Sequence, residues 1–147
     1  MSTTSYDEFG NVAAFREKVN DSASYETTYT YDVENKPTQL RYGADDRKVT
    51  ITYDPIGRIS TRTLAGTTNY VTTYTYTPAS ENGGMQTTPL VASITQPGHN
   101  FSYTYDNVGN ITREVHNRKN TTYVYDSLGQ LIRYNDEQAG KSWVFTY

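Results

Sequence analysis

An all-β chain built from tandem β-hairpins is the fold class this sequence predicts, and three observations predict it. A Tyr-Asp motif recurs along the chain as YDEFGNV at Tyr6, YDVENKP at Tyr31, YDPIGRI at Tyr53, YDNVGNI at Tyr105 and YDSLGQL at Tyr125. The residues leading into each motif alternate aromatic with Thr or Ser, as in Phe101-Ser102-Tyr103-Thr104-Tyr105, and period-two alternation marks a strand with one covered face. No segment sustains an apolar period of 3.6 over ten or more residues, so no helix is expected.

Each repeat reads as the same series of elements. The alternating run is the first strand, favoured by aromatic and β-branched residues. Asp-x-x-Gly then turns the chain. An Asp side chain at the first position of a type I turn accepts from the backbone two residues on, and the glycine takes the left-handed conformation that closes the bend. This is a three-residue hairpin loop with a glycine bulge. In that register Tyr105 faces Ile111, Tyr125 faces Leu131 and Tyr53 faces Ile59, while Asp106 faces Asn110. Two positions further out, Tyr103 is expected opposite Arg113 and Tyr123 opposite Arg133, and each cation over a ring would add about 0.5–1 kcal/mol. The returning strand ends at a second turn: Ala44–Arg47, Ala65-Gly66, Gln96–His99, Asn117–Asn120 and Gln138–Lys141. Two strands and two short turns account for the period.

Taken in order, the copies begin with Tyr6, Asp7 and Gly10. The second has Tyr31 and Asp32, with Asn35 in the glycine place, which Asn tolerates. Its Pro37 replaces the aliphatic residue, so a late or distorted strand is expected there. The third has Tyr53, Asp54 and Gly57; the fifth Tyr105, Asp106 and Gly109; the sixth Tyr125, Asp126 and Gly129. The fourth is worn: Tyr76 is followed by Thr77, and residues 77–90 are expected to form a long polar loop insertion. Tyr147 falls where a seventh copy would start, which suggests a piece cut from a longer array. Residues 1–147 thus form one array of about six repeats, with about twelve strands in a twisted, curled antiparallel sheet. Wide sheets twist or curl, and unpaired edge strands favour self-association of the isolated piece.

Composition narrows the function. Of 147 residues only 35 % are hydrophobic, but 15 are tyrosines, about three times an ordinary share. What is covered must be covered largely by phenol rings, whose hydroxyls need partners. A net charge of -3 and scattered basic residues give no nucleic-acid-binding face. No apolar run of membrane-spanning length occurs, and the opening MSTTSYDEFG lacks the apolar core of a signal peptide. Without cysteine there is no disulfide, thiolate nucleophile or thiolate metal site.

No catalytic, cofactor or metal residue is assigned. The repeated aspartates Asp7, Asp32, Asp54, Asp106 and Asp126 could suggest a calcium ladder. Two strand spacings, about 9–10 Å, would separate them, too far to share an ion, so each is expected to cap its own turn. His99 and His116 read as lone surface residues with no catalytic motif around them. Four Asn-x-Ser/Thr triplets, from Asn20, Asn100, Asn110 and Asn120, carry little weight in a Thr-rich chain. The tyrosine rows offer the one competing function, since exposed rings stack on sugars. Recurrence at every repeat argues instead for packing.

The pattern Tyr-Thr-Tyr-Asp-x-x-Gly followed by a polar and an aliphatic residue resembles the RHS or YD repeat, from Tyr6 to Tyr147. That resemblance implies a β-strip that spirals into a hollow shell. It also implies a structural, non-enzymatic part in a larger secreted or cell-surface bacterial protein similar to contact-dependent toxins, insecticidal toxin complexes, wall-associated proteins and animal teneurins. The shell of the bacterial members encloses a toxic C-terminal polypeptide, and some YD repeats are described as carbohydrate-binding. Partners would be neighbouring repeats of the parent chain, with a glycan as the alternative. The family's self-cleaving aspartyl protease segment usually follows the repeats. Asp54-Pro55-Ile56-Gly57 is similar to its Asp-Pro-x-Gly element but occupies the ordinary turn position of the third copy.

Overall fold

The computed structural model describes residues 1–20, 23–43, 47–78 and 87–147, the side chain of Asn20 excepted. The described residues are strands and turns without a helix, and the chain divides into two compact units, Met1–Thr72 and Thr73–Tyr147. The first holds β1 (Ser2–Tyr6), β2 (Val12–Asn20), β3 (Ala23–Tyr31), β4 (Pro37–Tyr42), β5 (Lys48–Tyr53) and β6 (Ile59–Leu64). Strand β7 (Tyr70–Pro78) runs across the division. The second continues with β8 (Thr87–Gln96), β9 (His99–Tyr105), β10 (Ile111–His116), β11 (Lys119–Tyr125), β12 (Leu131–Asp136) and β13 (Lys141–Val144). Within each unit every strand pairs antiparallel with its sequence neighbours, as a meander of hairpins requires. The strand beyond the expected twelve, β13, belongs to the seventh copy.

Anchor pairing agrees with the sequence. Tyr6 opposes Val12, Tyr31 opposes Pro37, Tyr53 opposes Ile59, Tyr105 opposes Ile111 and Tyr125 opposes Leu131. The worn copy keeps the same pairing, with Tyr76 opposite Val91. Beyond the anchor the expected register fails. Each returning strand carries one extra residue directly after that pair, so that Ile111 opposes Tyr105 but Arg113 opposes Thr104. The same skip passes over Ala13, Thr38, Ser60, Ala92, Thr112 and Ile132. An extra residue reverses the side-chain alternation beyond it. Tyr103 therefore faces Glu114, and Tyr123 faces Tyr134, neither facing an arginine. Arg113 lies across from Thr104 and Thr122 and donates from Nε to Asn120 Oδ1 at 2.6 Å. Five of these six skipped residues are small or hydroxylated, Ile132 being the exception. Thr38 and Thr112 donate from Oγ1 to the carbonyls of Thr30 and Thr104, each at 3.2 Å.

The skip also explains Pro37. Strand β4 starts at that residue rather than late, and the first position of a strand at a bulge is where a missing N–H does least harm. Of the expected insertion, residues 79–86 lie outside the described residues. Its flanks belong to β7 and β8, where Pro78 pairs with Thr87.

Alternation sorts the two faces of each unit. In the first, Tyr29, Leu40, Val49 and Leu64 form a row across β3 to β6. On the opposite face Thr30, Gln39, Thr50 and Thr63 form another. In the second unit one face collects Phe101, Tyr103, Tyr123, Tyr134 and Trp143. Tyr123 and Tyr134 meet edge-on at 5.6 Å between ring centres, and Tyr134 meets Trp143 at 5.0 Å. The other face carries Ser93, Ser102, Val115 and Asn120, and beside them Thr122, Asn135 and Ser142. No described side chain is fully buried. Half-covering a large apolar side chain contributes only about 1 kcal/mol, so the polar bonds at the bends carry weight they would not have beside a deep core.

Candidate functional site

The bends form one recurring site. In all five intact copies the aspartate Oδ1 accepts two backbone N–H groups. Asp106 takes them from Val108 at 3.0 Å and Asn110 at 2.8 Å, and Asp7, Asp32, Asp54 and Asp126 repeat this at 2.8–3.1 Å. The residue in the glycine place closes the turn by donating to the aspartate carbonyl: Gly10, Asn35, Gly57, Gly109 and Gly129, at 2.9–3.2 Å. All five have positive φ, from 62° at Asn35 to 96° at Gly109. The expected turn and its left-handed residue are present, and each aspartate is engaged in its own bend. In the worn copy Thr88 Oγ1 donates to the Thr77 carbonyl at 2.8 Å and accepts from the Leu90 amide at 3.2 Å.

Sequence reasoning set Asn110, the residue after the glycine, opposite Asp106 but assigned its side chain no role. The side chain at this position bonds back to the aspartate: Asn11 and Asn110 donate from Nδ2 to Oδ2, and Arg58 does so from Nε at 2.7 Å. This position also reaches the next bend. Asn11 Nδ2 donates to Asn35 Oδ1 at 2.9 Å, Lys36 lies over the Tyr53 ring at 5.1 Å, and Leu90 lies beside Gly109. Asn35 thus does more than tolerate its conformation, since its amide oxygen joins two consecutive bends.

The second missed feature joins repeats directly. Tyr31 Oη donates to the Val12 carbonyl at 3.0 Å, Tyr53 to Pro37 at 2.8 Å, Tyr105 to Val91 at 2.7 Å, Tyr125 to Ile111 at 3.0 Å and Tyr147 to Leu131 at 3.0 Å. In every case the acceptor is the residue paired with the preceding anchor, just before the skipped place. The reason lies in the ladder. Strands of successive repeats stop pairing short of the bend: β10 and β11 at Arg113 with Thr122, β8 and β9 at Ser93 with Ser102. The carbonyl left beyond the last pair is capped by the phenol of the next anchor, as an otherwise unpaired backbone acceptor demands. One sequence signal pointed here. Every anchor is tyrosine and none is phenylalanine, although the chain has four Phe residues. Packing alone would accept either ring. Tyr6, in the first copy, is 64 % exposed.

These bonds set a pH window. Burial acts to raise Asp106, but the bonds from the Asn110 side chain and amide and from Val108 and Gly109 outweigh it and hold the carboxyl below its ordinary value. Asp7 and Asp54 are lowered in the same way, Asp54 with help from the Arg58 charge. A lowered folded value means that the stabilisation is complete above the unfolded value of 3.8 and is lost as pH falls through the folded one. At the other end burial raises the Tyr53, Tyr105 and Tyr125 phenols, and burial and the Glu114 charge together raise Tyr103 and Tyr123. A raised phenol stabilises below the unfolded value of 10.0 and loses that contribution as pH climbs through the folded one. A phenolate also has no proton to donate to a carbonyl. The melting temperature measured across pH should therefore be level in the middle range, fall below pH 3.8 and fall again above pH 10.0.

His99 and His116 are not lone. Pairing of β9 with β10 brings them together on the aromatic face of the second unit, with Nδ1 of His99 3.1 Å from Nε2 of His116. Among the described residues no group of three or more His, Asp or Glu is arranged to hold a metal ion. No helix among them is long and apolar enough to cross a membrane.

No protein-family model matches the chain, and no curated protein does. Among solved structures it is similar to a TcdB2–TccC3–Cdc42 complex and to TcdB2–TccC3 without its hypervariable C-terminal region. Each is 18 % identical with a TM-score of 0.48, over 90 % of this chain and 9 % of the other. It is also similar to a Photorhabdus luminescens Tc holotoxin pore, at 19 % identity and a TM-score of 0.43, over 85 % of this chain and 8 % of that one. The chain thus spans about a tenth of the length of the solved chains it matches.

Proposed function

We propose that this chain is a non-enzymatic structural segment, a stretch of β-wall in a larger, secreted or surface-delivered protein of the RHS/YD-repeat type. The parent's shell would enclose or present a C-terminal toxin or other effector. One observation carries the reading: the polar groups that repeat are spent on closing bends and joining repeats. The aspartates take their own bend's amides, and the anchor phenols take the preceding repeat's carbonyls. The partners are then further repeats of the parent chain, and open strand edges make the isolated piece self-associate.

One observation favours a second reading, a carbohydrate-binding adhesive module. Tyr25 and Tyr42 stack in parallel at 5.8 Å while 44 % and 47 % exposed, so the pair offers its outer ring faces to solvent. A glycan-array screen of the purified chain, run beside Tyr25→Ala, separates the two. The wall reading predicts no saccharide signal that depends on Tyr25. A signal lost in Tyr25→Ala, with the melting curve unchanged, would overturn it in favour of the second. Light scattering over a wide concentration range should show mass growing with concentration, and a monodisperse monomer throughout would count against open edges.

A further inference from the structure

We propose that His99 and His116 form a two-imidazole site for a first-row divalent transition ion, with Cu2+ held most tightly. The two residues lie seventeen apart in sequence and meet because β9 and β10 are adjacent strands. Phe101 pairs directly with His116, and His99 stands two residues before Phe101 on the same face. The His116 ring stacks on Phe101 at 4.2 Å with an interplanar angle of 8°. Its other neighbour is the His99 ring, at 5.3 Å and 24°. Packing on Phe101 therefore orients His116 before any ion arrives, while His99 is exposed and meets that ring end to end.

The separation of the facing nitrogens is that of two ligands to one ion, but the rings meet nearly end to end, 5.3 Å between centres, so both must swing before their lone pairs converge on it. Two metal–nitrogen bonds of about 2.0–2.1 Å meeting at roughly 100° place their nitrogens about 3.1 Å apart. The distance between His99 Nδ1 and His116 Nε2 is 3.1 Å. In the ion-free form the two nitrogens share a proton, one ring donating and the other accepting. An ion would replace that proton and accept a lone pair from each ring, and the displaced proton would pass to solvent. Both rings reach the surface, so the other coordination positions are open to water. Imidazole favours Cu2+, Ni2+ and Zn2+ over Mg2+ and Ca2+, with Cu2+ first in affinity among the divalent ions. Lys119 pairs with His116 in the register and brings a positive charge to the same face, which holds the affinity below that of a neutral surround.

The test uses the tag-free chain titrated with Cu2+, and separately with Zn2+, in calorimetry or by broadening of the histidine ring resonances. One ion should bind per chain, with both histidine ring signals affected together. His99→Gln and His116→Gln should each weaken binding about tenfold or more, and Lys119→Gln should tighten it. His99 is exposed and His116 half-buried against Phe101, and circular dichroism checks that the variants stay folded. Wild type and the His99→Gln/His116→Gln double variant binding with the same affinity would overturn the proposal, because any ion would then be held elsewhere, for instance at the terminal amine. Broadening of one histidine without the other would overturn it too.

Discussion

Replacing Tyr105 with Ala is expected to lower the unfolding free energy by about 2 kcal/mol, the half-covered ring and the hydroxyl each contributing about 1 kcal/mol. Two contributions are lost together. The ring leaves its place opposite Ile111, and the hydroxyl leaves the Val91 carbonyl, a bond of 2.7 Å. Tyr105→Phe separates them, because it keeps the ring and removes only the donor. That variant should cost about 1 kcal/mol, the usual net worth of a hydrogen bond whose loss strands a partly covered acceptor. Urea unfolding of the two variants beside wild type reads both numbers. Should the Phe variant cost nothing while the Ala variant costs the full amount, the anchors act as packing alone.

The second large effect is conformational. Gly129 closes the sixth bend at φ 77°, and an added Cβ would meet nothing within 4 Å. Any penalty for a side chain there is therefore backbone strain and not collision. Gly129→Val should cost about 2 kcal/mol, since a β-branched residue is among the least suited to the left-handed region. Gly129→Asn should cost much less, because Asn35 holds the equivalent place at φ 62° in the second copy. Thermal melting of the two variants shows the contrast. Equal losses for Val and Asn would mean that the bend rejects side chains for a reason other than φ.

Much of this was legible in the sequence because the bend is a local device. Asp106, Gly109 and the pairing of Tyr105 with Ile111 follow from turn chemistry within seven residues, and the structure keeps all three. The fate of Arg113 was not legible. Its expected place opposite Tyr103 assumes unbroken alternation, and the single residue skipped at Thr112 moves it to the other face. Nothing in Thr112 itself announces a bulge; only the repeated ladder shows it. The tyrosine bonds were half legible. The strict choice of tyrosine over phenylalanine implied a hydroxyl with work to do, but its acceptor lies fourteen to nineteen residues back, in the preceding repeat. The histidine pair was hidden by the same skip, since unbroken alternation sets Phe101 opposite Val115, and the residue passed over at Thr112 sets it opposite His116, beside His99.

The claim that matters most is that phenol hydroxyls fasten each repeat to the one before. It is tested most directly by the unfolding free energies of Tyr31→Phe, Tyr53→Phe, Tyr105→Phe and Tyr125→Phe, measured beside Tyr6→Phe, whose ring is 64 % exposed. Each of the first four should lose about 1 kcal/mol. Tyr6→Phe should stay within about 0.5 kcal/mol of wild type, as surface changes do. If all five variants lose the same amount, or none loses any, the hydroxyls do not join the repeats.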